Sequence, residues 1–216
     1  MNQEILQEIL RQDYTKIQED IISFLKNQIS QKKAEGVVFG LSGGIDSATV
    51  AYLCRKISET KEVLALVMPD SVISPSNETG DALKIIGEIG IDYKLIDINT
   101  IHKRYSNYLE PDELALGNLR ARIRSNIIYY YANLKNLLVL GTSDKSEYLI
   151  GYFTKFGDGA SDILPIATLY KTQVREIAKL LGIPEKIIQK KSSPNLWLNH
   201  EAESEIGATY EEIDSI

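Results

Sequence analysis

One junction near the start of this chain limits its fold more than any other stretch. The apolar run Val37-Val38-Phe39 passes straight into Gly40-Leu41-Ser42-Gly43-Gly44-Ile45-Asp46-Ser47, then into Ala48-Thr49-Val50-Ala51-Tyr52-Leu53, which reads as a helix. A strand that turns through small residues into a helix is an anion-binding device. The helix start presents unpaired N–H groups, and glycines let a phosphate come close to them. A Walker loop reads G-x-x-x-x-G-K-[ST], with its lysine on the phosphates. Here the loop has no lysine, and an acid, Asp46, stands in it. A carboxylate beside phosphates is repulsive unless a cation lies between them. The loop therefore predicts a nucleotide carried with Mg²⁺, in a site unlike that of the Walker NTPases.

Further strand patterns are Gly36–Leu41, Val63–Met68, Tyr93–Ile98 and Leu137–Leu140, separated by helical patterns at Ile45–Ser58, Asn77–Glu88 and Asp112–Leu134, with Thr172–Leu181 following. Strands alternating with helices imply βαβ units, a parallel sheet and right-handed crossovers. The expected fold is α/β, a doubly wound, mostly parallel sheet with helices on both faces, and ligands at the carboxyl ends of its strands. Apolar spacing from Gln3 to Gln31 predicts one long N-terminal helix. The segment from Lys190 to Glu203 has no period and reads as a loop, and Thr209 with Glu212 has the capping-box spacing that opens a helix.

Composition narrows the function classes. With 216 residues the chain can form one sizeable domain, taken as a single domain over 1–216. A net charge of −6 argues against a nucleic-acid partner, which usually leaves a basic stripe. The only cysteine, Cys54, can form no disulfide framework and reads as a small buried residue, which fits a reducing, cytoplasmic setting. The polar N-terminus is not a signal peptide, and no apolar run approaches the ~20 residues of a membrane span.

Ser42-Gly43-Gly44-Ile45-Asp46-Ser47 resembles the S-G-G-x-D-S loop of the ATP pyrophosphatases, which activate an oxygen by adenylation and release pyrophosphate. The second half of the chain narrows this further. Gly117-Asn118-Leu119-Arg120-Ala121-Arg122-Ile123-Arg124, then Leu140-Gly141-Thr142-Ser143-Asp144-Lys145-Ser146-Glu147, then Gly151-Tyr152-Phe153-Thr154-Lys155-Phe156-Gly157-Asp158-Gly159-Ala160-Ser161-Asp162 together resemble the NAD synthetase family. So does Met68-Pro69 with Ser76 and Asp81 downstream. The resemblance runs from about Gln31 to Ile216. It implies an adenine-nucleotide α-hydrolase-like fold and a ligase that turns deamido-NAD into NAD with ATP and ammonia, through an NAD-adenylate, releasing AMP and pyrophosphate.

Site residues follow by motif. The loop Gly40, Leu41, Ser42, Gly43, Gly44, Ile45, Asp46 and Ser47 is expected to hold ATP, with Thr142, Lys171 and Ser193. Asp46 and Glu147, each just after a strand, are the acids expected to hold Mg²⁺, a hard ion that takes oxygen ligands. Lys171 opens a helix, where a cation is electrostatically misplaced, and that favours a role on phosphate. Arg122, Lys155 and Asp162 match residues that hold deamido-NAD. Asp158, between two glycines, is expected to deprotonate ammonium or orient ammonia. Catalytic roles thus fall to Asp46, Asp158 and Lys171.

The family also carries an acidic pair after its Leu-Trp segment, where this chain reads Ala202-Glu203, and a further helix with a His-Lys pair beyond the position of Ile216. The family's C-terminal segment is therefore expected to be missing, and neither His102 nor His200 replaces that pair. Two rival readings stay open: another amidating or tRNA-modifying enzyme with the same loop, and a nucleotide-binding remnant without turnover. Family members are homodimers. The pattern from Leu114 to Leu134, apolar on more than one face, predicts a C₂ partner or, alternatively, cover by the N-terminal helix.

Overall fold

Short polar side chains, rather than apolar periodicity, set the N-terminal elements. In the computed structural model, which describes residues 2–216, the Asn2 side chain accepts from the N–H groups of Glu4 and Ile5. Asp13 likewise accepts from Lys16. Each satisfies orphan donors of a first turn. The single helix expected from Gln3 to Gln31 is therefore two, α1 (Gln3–Leu10) and α2 (Tyr14–Gln31).

The strand and helix alternation then follows the apolar pattern closely. β1 (Gly36–Gly40) leads to α3 (Ile45–Arg55), β2 (Glu62–Val67) to α4 (Ser76–Ile89), and β3 (Asp92–Leu95) to α5 (Asn99–Ser106) and α6 (Glu113–Lys135). β4 (Leu137–Val139) leads to α7 (Lys145–Ile150), and α8 (Lys171–Leu180), α9 (Glu185–Ile188), α10 (Ala202–Ile206) and α11 (Tyr210–Asp214) complete the chain. The short helices α5, α7, α9 and α10 carry too few turns for a period to show in sequence. α10 begins at Ala202, inside the segment expected to be loop to Glu203. α11 has the expected capping box between Thr209 and Glu212.

The strands pair in the order β3-β2-β1-β4, and every pair is parallel. Alternate residues of a strand face opposite sides, and each side has its own core. Val37, Phe39, Val63, Ala65 and Val67 pack with Leu25 and Ile29 of α2, Leu53 of α3, Ile85 of α4 and Val174 of α8. Val38, Leu64, Leu66 and Val139 pack with Ile98 and with Ile123 and Ala132 of α6. The sheet is doubly wound, as expected. The chain runs from β1 outward to β2 and β3, then returns to the other edge of β1 with β4. The strand order thus reverses between β1 and β4, and the crevice at their carboxyl ends is where such sheets bind ligands.

Candidate active site

The loop between β1 and α3 opens into that crevice. The Leu41 N–H donates to the Leu66 carbonyl at 2.9 Å, which fixes where the strand stops. Ser42 Oγ accepts the Gly44 N–H at 3.2 Å, while Ser47 Oγ accepts the Ser42 N–H at 3.2 Å and donates to the Gly44 carbonyl at 3.1 Å. Gly43 has φ +87°, and a Cβ there would lie 2.3 Å from the Glu78 carbonyl oxygen of α4, so only glycine fits. Gly44 caps α3 without a side-chain bond, which leaves first-turn N–H groups of that helix for a ligand. All loop residues from Gly40 to Ser47 line the pocket except Gly43.

An acid cluster forms the floor beside this helix start. Lys171 Nζ donates to Asp46 Oδ2 at 2.7 Å and to Glu147 Oε1 at 2.8 Å, and pairs with Asp144 Oδ2 at 3.0 Å. The Lys171 side chain has no solvent exposure. Burial alone would lower its pKa, but the charges of Asp46, Glu147 and Asp144 outweigh burial and hold it well above the usual lysine range. Desolvation, partly offset by Lys171, raises Asp144 to about 6 and Glu147 to about 8. The misplaced cation at the start of α8 is thereby explained. Three carboxylates surround it, and Asp214 of α11 accepts the Thr172 N–H at 3.0 Å and the Ser146 hydroxyl at 2.5 Å, placing a fourth acid at the same helix end. Asp144 and Asp214 were not singled out from sequence. Asp144 is the N-cap of α7, and its three-residue spacing to Glu147 is the signal that was available.

Thr142, Glu147, Asp158 and Ser193 line the pocket with the loop. Asp158 is turned inward because its Oδ1 accepts the Thr154 N–H at 2.9 Å, and Thr154 Oγ1 is itself held by Asn118 at 2.6 Å. Desolvation raises the Asp158 carboxyl above its ordinary range, with the Thr154 bonds pulling the other way, although the residue as a whole stays exposed. The far wall is the segment Lys190–Leu196. It is held by Asn195, which donates to Glu78 of α4, and by Arg120 Nη1, which donates to the Leu196 carbonyl at 3.1 Å. Gly117 makes room for this wall, since a Cβ there would press on Leu196 and Trp197 at 3.1 Å.

Four more predicted residues lie outside the pocket lining. Arg122 is exposed, and its Nε donates to the Lys155 carbonyl at 3.2 Å; Lys155 is exposed beside it. Asp162 Oδ2 accepts the Val139 N–H at 2.8 Å, which ends β4. Lys171 sits behind the lining, screened by Asp46 and Glu147. Of the three arginines on α6, Arg120 pairs with buried Asp70 at 2.7 Å, while Arg124 lines the pocket and donates from Nε to the Met68 carbonyl at 2.9 Å. Arg120 and Arg124, four residues apart, share a face of α6 and Arg122 points away from it, but the sequence could not say which of that pair enters the site.

The NAD synthase family model matches residues 17–216. The chain belongs to the NAD synthase family. It is 49% identical to the NH(3)-dependent NAD(+) synthetase of Staphylothermus marinus, over 98% of this chain and 78% of that protein. Among solved structures it resembles the NMN synthetase of Francisella tularensis, with a TM-score of 0.89 at 37% identity, covering 94% of this chain and 85% of that one. It also resembles the NH3-dependent NAD synthetase of Campylobacter jejuni, with a TM-score of 0.78 at 42% identity, covering 83% of this chain and 78% of that one. Solved NAD synthetases thus share the fold, which is the adenine-nucleotide α-hydrolase-like architecture expected from the sequence.

Proposed function

We propose that this member of the family amidates deamido-NAD to NAD with ATP and ammonia, releasing AMP and pyrophosphate. The observation that carries the reading is the crevice itself. One pocket joins the phosphate-ready start of α3, the acids Asp46 and Glu147, and Asp158 on the facing loop. In the first step the nicotinate carboxylate attacks the α-phosphate, and pyrophosphate leaves with the electron pair of the broken P–O bond. In the second, ammonia attacks the acyl carbon of the NAD-adenylate and AMP leaves. The α3 N–H groups hold phosphate oxygens through both steps. Asp158 holds ammonia, or takes the proton of ammonium, beside the acyl carbon. The chain's only cysteine, Cys54, is fully buried, and burial pushes its thiol pKa up, so it is unsuited to release ammonia from glutamine.

The donor set suits Mg²⁺. Three carboxylates meet a single ammonium, and the buried Oδ1 of Asp46 has no hydrogen-bond partner. Among the described residues no three acidic, His or Cys side chains form a ready cage, and Mg²⁺ characteristically takes only one or two carboxylates, completing its shell with phosphate and water. Asp46 and Glu147 would hold it, and it would supply charge neutralisation on the phosphates. Among the described residues no helix is long and apolar enough to cross a membrane, and the setting we propose is the cytoplasm, with no nucleic-acid partner.

A homodimer belongs to the same proposal. α6 turns its inner face to the sheet, while Tyr130 and Leu134 remain 62% and 61% exposed. The N-terminal helix α2 packs on the opposite side of the sheet, so it does not cover them. Lys155 and Arg122, outside the pocket of one chain, would then be reached by deamido-NAD near the partner.

The likeness to an NMN synthetase favours a second reading, in which the acceptor is nicotinate mononucleotide. Amide formation from each acceptor at equal concentration, with ATP, Mg²⁺ and ammonium, separates the two. A higher kcat/KM for deamido-NAD supports the first, and a higher value for the mononucleotide replaces it with the second.

A further inference from the structure

The loop has no Walker lysine, but the fold brings a lysine to it from another part of the chain. Lys190 Nζ donates to the Gly43 carbonyl at 2.9 Å, across 147 residues, and to Asp81 Oδ2 at 2.8 Å. Lys190 also lines the pocket. An ammonium has three donors, and among the described residues these two bonds use two of them, leaving the third for a ligand. Lys171 is placed in the opposite way. It is fully buried, absent from the lining, and already shared by three carboxylates.

The local charges favour a free role for Lys190. Asp81 also accepts from Lys186, so one carboxylate serves two ammoniums and does not neutralise Lys190 alone. Glu78, the other acid on this wall, accepts the Asn195 amide and also feels the Lys190 charge, without a direct bond to its ammonium. The placement follows from the loop. Gly43 lies against the Glu78 carbonyl of α4, and Asp81, three residues on, shares that helix face. The helix that supports the loop therefore also anchors the lysine.

Resting on the ATP-dependent reading above, we propose that Lys190 binds the β- and γ-phosphates and neutralises the departing pyrophosphate. When the Pα–O bond breaks, its electron pair passes to pyrophosphate, and an ammonium fixed beside the loop offsets that added charge. Lys190 is then a catalytic residue that takes the place of the Walker lysine from outside the motif.

Calorimetric titration of the full chain with pyrophosphate and, separately, with AMP, both with Mg²⁺, tests this. AMP lacks the phosphates that Lys190 would hold. In Lys190→Met the pyrophosphate Kd should weaken at least ~10-fold, the scale of one charge-assisted hydrogen bond, with the AMP Kd unchanged within about 2-fold. Lys190→Arg should recover most of the pyrophosphate affinity. Equal weakening of both ligands in Lys190→Met would mean that the lysine only props the wall, and unchanged pyrophosphate affinity would mean that it does not touch phosphate. Either result overturns the inference. A wild-type chain that binds neither ligand overturns the ATP-dependent reading, and this inference with it.

Discussion

The Lys171 ammonium and the Asp46 carboxylate meet at 2.7 Å across 125 residues of sequence, tying the start of α8 to the start of α3. The nucleotide loop is therefore braced from behind by a buried cation. Lys171→Met should fold less stably by about 3–5 kcal/mol, the scale for breaking a buried ion pair by removing one partner. Urea unfolding followed by circular dichroism measures it. A loss below ~1 kcal/mol would mean that the acids are neutral without the lysine.

Gly43→Ala should damage the loop twice over. The backbone must hold φ +87° with a side chain, and the new methyl meets the Glu78 carbonyl. A residue held in such a region costs about 1–3 kcal/mol, and the loop should move to avoid it. The expected result is a modest drop in thermal stability and loss of ATP binding by calorimetry. Unimpaired ATP binding would show that the loop geometry is not what holds phosphate.

How far the sequence carried this account depended on how local each signal was. The strand, glycine turn and helix around Phe39–Ser47 are contiguous, so both the fold class and the phosphate site were readable there. β1, β2 and β4 showed as apolar runs because helices bury them, whereas β3 lies at the sheet edge and is exposed along its whole length. What stayed hidden is long-range. Asp214 reaches Ser146 across 68 residues, and Lys190 reaches Gly43 across 147, inside a segment with no periodicity at all. The break at Asp13 was local but was masked by helical spacing on both sides. Arg124 was visible as a residue, but which of three alternating arginines enters the pocket is decided by how α6 rolls against the sheet.

Asp70 and Arg120 set an acid dependence. Burial alone would raise the Asp70 carboxyl, but bonds from Arg120, Asn99 and Val72 hold it below its ordinary 3.8. A depressed carboxylate contributes stability above its unfolded pKa and loses it as pH falls through the lower, folded value. At pH 7, Asp70→Asn should be less stable than the wild type by about 3–5 kcal/mol. That gap should close as pH drops below 3.8, because the wild-type carboxyl then protonates too. Urea midpoints of both proteins from pH 7 to pH 3 test the sign. A gap that widens in acid would contradict it.

If α6 is a dimer face, light scattering at micromolar concentration should give twice the 24.2 kDa chain mass. Replacing Tyr130 and Leu134 together by Glu puts charge on that exposed stripe and should return a monomer with unchanged circular dichroism. A wild-type mass of 24.2 kDa would remove the dimer and, with it, the second-chain placement of Arg122 and Lys155.

The central claim is amide formation driven by ATP cleavage to AMP, with free ammonia as nitrogen donor. Chromatography of reactions containing ATP, Mg²⁺, deamido-NAD and ammonium, each omitted in turn, measures it directly. The account predicts equal amounts of NAD and AMP in the complete mixture, neither product when any component is missing, and no rescue of the ammonium-free reaction by glutamine. AMP and NAD formed from glutamine alone, or no AMP in the complete mixture from folded protein, would contradict it.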